Sequence, residues 1–96
     1  MGSYTVRVEL KEQTDKMRVE LMFVMLENGF ARSVVCSRGF TYALPTDEFV
    51  CVSSENITVV MDRVVTLLSR FSKEPSVLIT GSGERCWSGL RVVNLD

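Results

Sequence analysis

The sequence predicts a small α+β domain, on three observations. One segment alternates apolar and polar residues as a half-buried strand does, and two others carry the apolar spacing or length of helices. The remaining apolar runs are short, β-branched and bounded by turn residues. Ninety-six residues support one domain, residues 1–96, and a hydrophobic content of 46% is enough to build its single core.

The first strand is read from YTVRVELK, residues 4–11, where Tyr4, Val6, Val8 and Leu10 share one face and Thr5, Arg7, Glu9 and Lys11 the other. A helix follows from about Thr14, an N-cap with Asp15 in the first turn, to about Asn28, with Gly29 suited to a left-handed stop. Its segment LMFVML is apolar nearly all round, so core packing is the first expectation for it and a second contact surface the next. FARSVVCS (residues 30–37) and EFVCVSS (48–54) read as two consecutive antiparallel strands, joined by a long hairpin connection within GFTYALPTDEFVCV (39–52). In the second helix Ile57, Val60, Met61, Val64, Val65, Leu68 and Phe71 recur at spacings of three and four, with Ser54 as the expected N-cap. SVLIT (76–80) is a short buried strand, GSGERCWSG (81–89) a turn-rich excursion, and LRVVNL (90–95) a candidate extra C-terminal edge strand. The resulting order is the ferredoxin-like βαββαβ pattern: an antiparallel sheet with two helices on one face and the other face uncovered.

Composition excludes several functions. Eleven basic and twelve acidic residues are interspersed, so overall charge makes no case for a nucleic-acid or membrane partner, and any anion site must be local. No apolar run approaches the ~20 residues that span a bilayer, and the N-terminal segment lacks a secretory pattern, so a cytoplasmic location is expected. Cys36, Cys51 and Cys86 form no CxxC pair and are expected to be buried thiols. Histidine is absent, which removes the commonest general base and both Ser-His and Cys-His nucleophile activation. Hydrolysis here would need carboxylates, arginines, tyrosines or a hard metal ion.

Against that background few residues carry chemistry. The glycines of residues 81–89 match neither the Walker nor the dinucleotide pattern and are read as a turn. Asn56-Ile57-Thr58 matches a glycosylation acceptor by chance, at a helix start. Trp87, between Arg85 and Arg91, is read first as core packing, with stacking on a base or anchoring a partner as its second use. Glu9 shares the outward face of its strand with Arg7. A carboxylate there is either a solvated acid paired with Arg7 or Lys11, or one that holds a divalent ion or orients an attacking water.

The spacing of Phe30, Gly39, Leu44 and Phe49, followed by a serine and an amphipathic helix, resembles the GhoS family. So does the pattern Tyr4, Val6, Glu9 in the first strand, and Glu27 with Phe30 at the end of the first helix. The likeness runs from Tyr4 to about Leu68. GhoS proteins are antitoxins of type V toxin-antitoxin systems, similar in fold to the ferredoxin-like small ribonucleases of CRISPR loci and to VapD. The resemblance implies a sequence-selective endoribonuclease that cleaves a toxin transcript as a homodimer whose sheets come together. It also implies that Glu9, at the position of an acidic residue shared by both subunits in the CRISPR relatives, is the catalytic and metal-binding residue, with Mg²⁺ as the ion. Arg18 and Glu20 stand near the positions of the family's first-helix arginines, and Cys36 and Ser37 replace its acidic pair.

From these readings Arg7, Arg32, Arg38 and Tyr42 are expected to contact RNA, and Phe40, Tyr42 and Trp87 to meet a partner or a base. Arg32 and Arg38 can share one face of their strand. The competing expectation is a non-catalytic protein-binding module, a phage or mobile-element product that inhibits a host complex through its sheet face or edge.

Overall fold

A computed structural model describes residues 2–36, 38–81 and 88–93. Its elements run β1 (Gly2–Glu9), α1 (Asp15–Glu27), β2 (Ser33–Val35), β3 (Thr41–Ala43), β4 (Glu48–Ser53), α2 (Ile57–Leu68) and β5 (Ser76–Gly81). The class is α+β, with two helices and antiparallel sheets, as the sequence predicts. The order is not a clean βαββαβ, because β3 is an additional strand inside the segment expected to be a hairpin connection.

Alternation in β1 has the expected consequence. Tyr4, Val6 and Val8 are buried while Arg7 and Glu9 are exposed. β1 is the centre of a three-stranded sheet of order β4-β1-β5, antiparallel to both neighbours. Its inner row meets Phe49 and Cys51 of β4 and Ile79 of β5, and one buried cluster joins these to Leu21 and Met25 of α1 and to Val60, Val64 and Leu68 of α2. Both helices therefore cover the same sheet face. The phenol of Tyr4 donates to the Glu55 carbonyl at 2.7 Å, tying the edge of this core to the segment that enters α2.

The caps explain where the helices begin and end. Thr14 accepts from the Met17 N–H at the start of α1, and Gly29, at φ +89°, turns the chain beyond it. For α2 the expected cap is corrected: Asn56, not Ser54, accepts the Val59 N–H at 3.0 Å. Both residue types cap well, so the choice falls to whichever oxygen faces the free N–H groups. Only part of the apolar run in α1 reaches the core. Leu21, Val24 and Met25 are buried, whereas Phe23 and Leu26 lie exposed.

The two strands expected to pair consecutively do so at a single point. Ala31, just before β2, bridges Val50 of β4 through reciprocal 2.8 Å bonds. Beyond it β2 pairs with β3, in the register Val34 opposite Tyr42. Gly39 at φ +87° closes this hairpin, donating to the Cys36 carbonyl, and Cys36 N–H donates to the Phe40 carbonyl. Of the expected C-terminal edge strand (90–95), the described residues 90–93 form one bridge, Val92 to Tyr42, on the far side of β3 rather than at an edge of the main sheet. Asp47, at φ +67°, ends the connection into β4, a conformation that aspartate tolerates.

Candidate functional site

The uncovered face of the main sheet is built by the residues that alternate with the buried row. By register it carries Thr5, Arg7 and Glu9 of β1, Glu48, Val50 and Val52 of β4, and Ser76, Leu78 and Thr80 of β5. Glu9 pairs in register with Ser76, and Arg7 stands between Glu48 and Leu78. A groove of ≈ 240 Å³ runs between β1 and β5 here, lined by Arg7, Val8, Glu9, Ser76, Val77 and Leu78.

Arg7 has a partner on this face. Its Nε lies 3.1 Å from Glu48 Oε1, an exposed cross-strand ion pair worth about 0–1 kcal/mol. Glu9 stands exposed beside it with no cation of the described residues in ion-pair contact. Around these charges the face is apolar: Val52 is 67% and Leu78 59% exposed. Large exposed β-branched and leucine side chains on one sheet face suit a protein surface more than a phosphate backbone.

Among the described residues, the other expected contact residues do not gather at Glu9. Arg32 lies on the helix-covered side, in a cleft of ≈ 170 Å³ lined by Arg18, Val19, Leu21, Met22, Asp47 and Phe49. Its Nη1 is 3.0 Å from the Met22 sulfur. Arg38 is at the exposed tip of the β2–β3 hairpin, next to Phe40, which is 50% exposed. The single strand that would give Arg32 and Arg38 one face is not formed: β2 spans only Ser33–Val35, with Arg32 at a bend before it and Arg38 in the turn after it. Tyr42 is half-buried in the centre of the small sheet, between Val34 and Val92. Trp87 lies outside the described residues, as do Ser37, Arg85 and Cys86.

Among the described residues no group of three or more Asp, Glu, Cys or His could hold a metal ion. On the uncovered face of one chain the described carboxylates are Glu9 and Glu48, and Glu48 is paired with Arg7, so an octahedral Mg²⁺ at Glu9 would draw its further ligands from a second copy, from substrate and from water.

Two features depart from the sequence reading: Cys36, expected to be buried like Cys51, is only half-buried, and Arg63 is not among its candidate residues. At the hairpin tip the Cys36 thiol is held below its ordinary pKa, first by a hydrogen bond from the Arg38 backbone and then by one from Phe40, with the Arg38 charge adding to them. Arg63, exposed on α2, reaches three groups at once: Glu55 at 3.0 Å, the Asn28 carbonyl at 3.1 Å and the face of Phe30 at 5.6 Å. The i, i+8 separation of Glu55 and Arg63 hides that contact from a search for pairs one turn apart.

No protein-family model, no curated protein and no solved structure matches the chain. No helix of the described residues is long and apolar enough to cross a membrane.

Proposed function

We propose that this chain is a ferredoxin-like regulator of the GhoS type that acts on RNA, as a homodimer joined through the uncovered sheet faces. The observation that carries the reading is Glu9 projecting with Arg7 from that face, at a groove flanked by exposed Leu78. Setting β3 aside as an insertion between the second and third strands leaves the βαββαβ order the reading requires. Two faces in contact would bury Val50, Val52 and Leu78 and bring polar residues of both copies to one seam. There Arg7 would neutralise a phosphate, and Glu9 would orient an attacking hydroxyl or take its proton. Mg²⁺ held by the two Glu9 carboxylates would supply charge neutralisation at the same phosphate.

Incubating the purified protein with RNA, with and without Mg²⁺, tests the reading. Cleavage that is lost in Glu9→Gln supports it; cleavage unchanged by that substitution removes Glu9 from the chemistry, and no RNA binding at low salt removes the class.

A second reading is favoured by the charge balance of the same face. Arg7 is already paired with Glu48, and Arg32 lies behind the sheet, which leaves little free positive charge for a nucleic acid. The face would then bind a protein without catalysis, as an inhibitor of a host complex. Recovery of one stoichiometric protein partner from host lysate, with no ribonuclease activity, decides for this alternative.

A further inference from the structure

The cleft between α1 and β4 holds an arginine without an anionic partner. Arg32 is half-buried, and the acceptor of its Nη1 is the thioether of Met22, a weak one. No carboxylate of the described residues is in ion-pair contact with it. Asp47, the one acid of the described residues that lines the cleft, lies 3.8 Å from the second arginine there, Arg18, so those two charges offset each other and, among the described residues, Arg32 is the uncompensated one. A guanidinium drawn partly out of water toward sulfur gives up hydration that its planar fork regains on a carboxylate or phosphate.

The rest of the lining sets the shape of the occupant. Val19, Leu21 and Phe49 make apolar walls, and the ≈ 170 Å³ of space is comparable with the ~150 Å³ that accommodates a benzene ring. We propose that this cleft binds a small organic oxyanion, a phosphate monoester or carboxylate carried on a flat apolar body. Arg32 is its main partner, Arg18 its second, and the body lies against the accessible Val19 and Met22, with the buried Leu21 and Phe49 forming the floor behind them. The site faces away from Glu9 and is independent of any action on RNA.

Titrating ¹⁵N-labelled full-length protein with phenyl phosphate, benzoate and inorganic phosphate at low ionic strength tests this. The expected result is saturable 1:1 binding of phenyl phosphate or benzoate, with shifts confined to the Arg32 and Arg18 Nε–H signals and the Met22, Asp47 and Phe49 amides. Inorganic phosphate, lacking the apolar body, should bind at least several-fold more weakly. Arg32→Gln should weaken binding by about tenfold or more, the loss expected for a charge-assisted hydrogen bond. Arg32→Lys keeps the charge and the apolar stem and should lose several-fold, so the assignment stays testable if the glutamine variant misfolds. Arg70→Gln, on an exposed turn after α2, should change nothing. Equal shifts at Arg7, Arg38 and Arg63, or unchanged affinity in a folded Arg32 variant, would overturn the proposal.

Discussion

Glu9 and Arg32 stand on opposite sides of the sheet: Glu9 is exposed on the uncovered face, and Arg32 sits beside Met22 in the cleft under α1. They cannot contact one phosphate within one chain. Arg32→Gln should therefore leave any RNA affinity of the uncovered face within about twofold, while Arg7→Gln, which removes the cation beside Glu9, should weaken it and lower its salt dependence. Filter binding across a salt series checks both, and a large loss in Arg32→Gln would place the RNA on the helix side.

If the uncovered faces meet, a charge in the middle of the contact should separate the copies. Val52 and Leu78 are solvent-exposed in the single chain, so Val52→Lys and Leu78→Lys cost the monomer little, within about 0.5 kcal/mol. In a closed dimer each would bury two like charges across the symmetry axis. Light scattering coupled to size exclusion should show wild-type dimer and variant monomer at equal concentration; monomer for both would remove the sheet-to-sheet arrangement.

Arg63 links three parts of the fold, so its removal should register globally. Arg63→Ala loses an exposed ion pair, a bond to the Asn28 carbonyl and the stack over Phe30, whose ring is otherwise buried. With partial exposure discounting each contribution, a loss of about 1–2 kcal/mol is expected from the urea midpoint at unchanged slope. Arg63→Lys should recover less than half, because an ammonium cannot serve the three partners together.

Entry to α2 depends on two small contacts that can be removed one at a time. Asn56→Ala deletes the cap of Val59 and should cost about 1 kcal/mol, whereas Ser54→Ala should cost almost nothing. Tyr4→Phe leaves the Glu55 carbonyl without its donor, a loss of about 0.5–1.5 kcal/mol. Thermal or urea unfolding reads all three, and a larger cost at Ser54 than at Asn56 would contradict the cap geometry.

Cys36 gives a pH-dependent signature. Its folded pKa lies below the unfolded one, so the thiolate is favoured in the native chain, and the corresponding stability is present above the unfolded pKa and fades as pH falls through the folded one. Alkylation by iodoacetamide should reach half its maximal rate at a lower pH in the folded protein than in urea. Most of the shift should survive Arg38→Ala, since the backbone hydrogen bond from residue 38 outranks its side-chain charge as the cause. Identical folded and unfolded profiles would contradict the hairpin geometry.

How much of this was legible depended on the range of the interaction. In β1 the alternation of Tyr4, Val6 and Val8 with Thr5, Arg7 and Glu9 fixed both the strand and its faces, because a period of two leaves only one way to bury the apolar row. In α2 the three-and-four spacing marked a row from Ile57 to Phe71, of which Val60, Val64 and Leu68 are buried while Ile57 and Val65 stay exposed at its margin. The Leu21–Leu26 segment identified a helix without its buried side, since apolar residues on every side leave the orientation to the neighbours. Thr41–Ala43 is too short for alternation to mark a strand; β2 leaves β4 after the Ala31–Val50 bridge that precedes it, and its backbone groups pair with β3 instead.

The sequence by itself determined the class, the two helices, the central strand and the outward placement of Glu9 and Arg7, all of which follow from local periodicity and capping chemistry. Tertiary structure alone decided that Arg32 turns away from Glu9, that Asn56 rather than Ser54 caps α2, and that Arg63 joins Phe30 to Glu55. Each depends on which distant groups the folded backbone brings within a few ångströms, and no spacing along the chain encodes that distance.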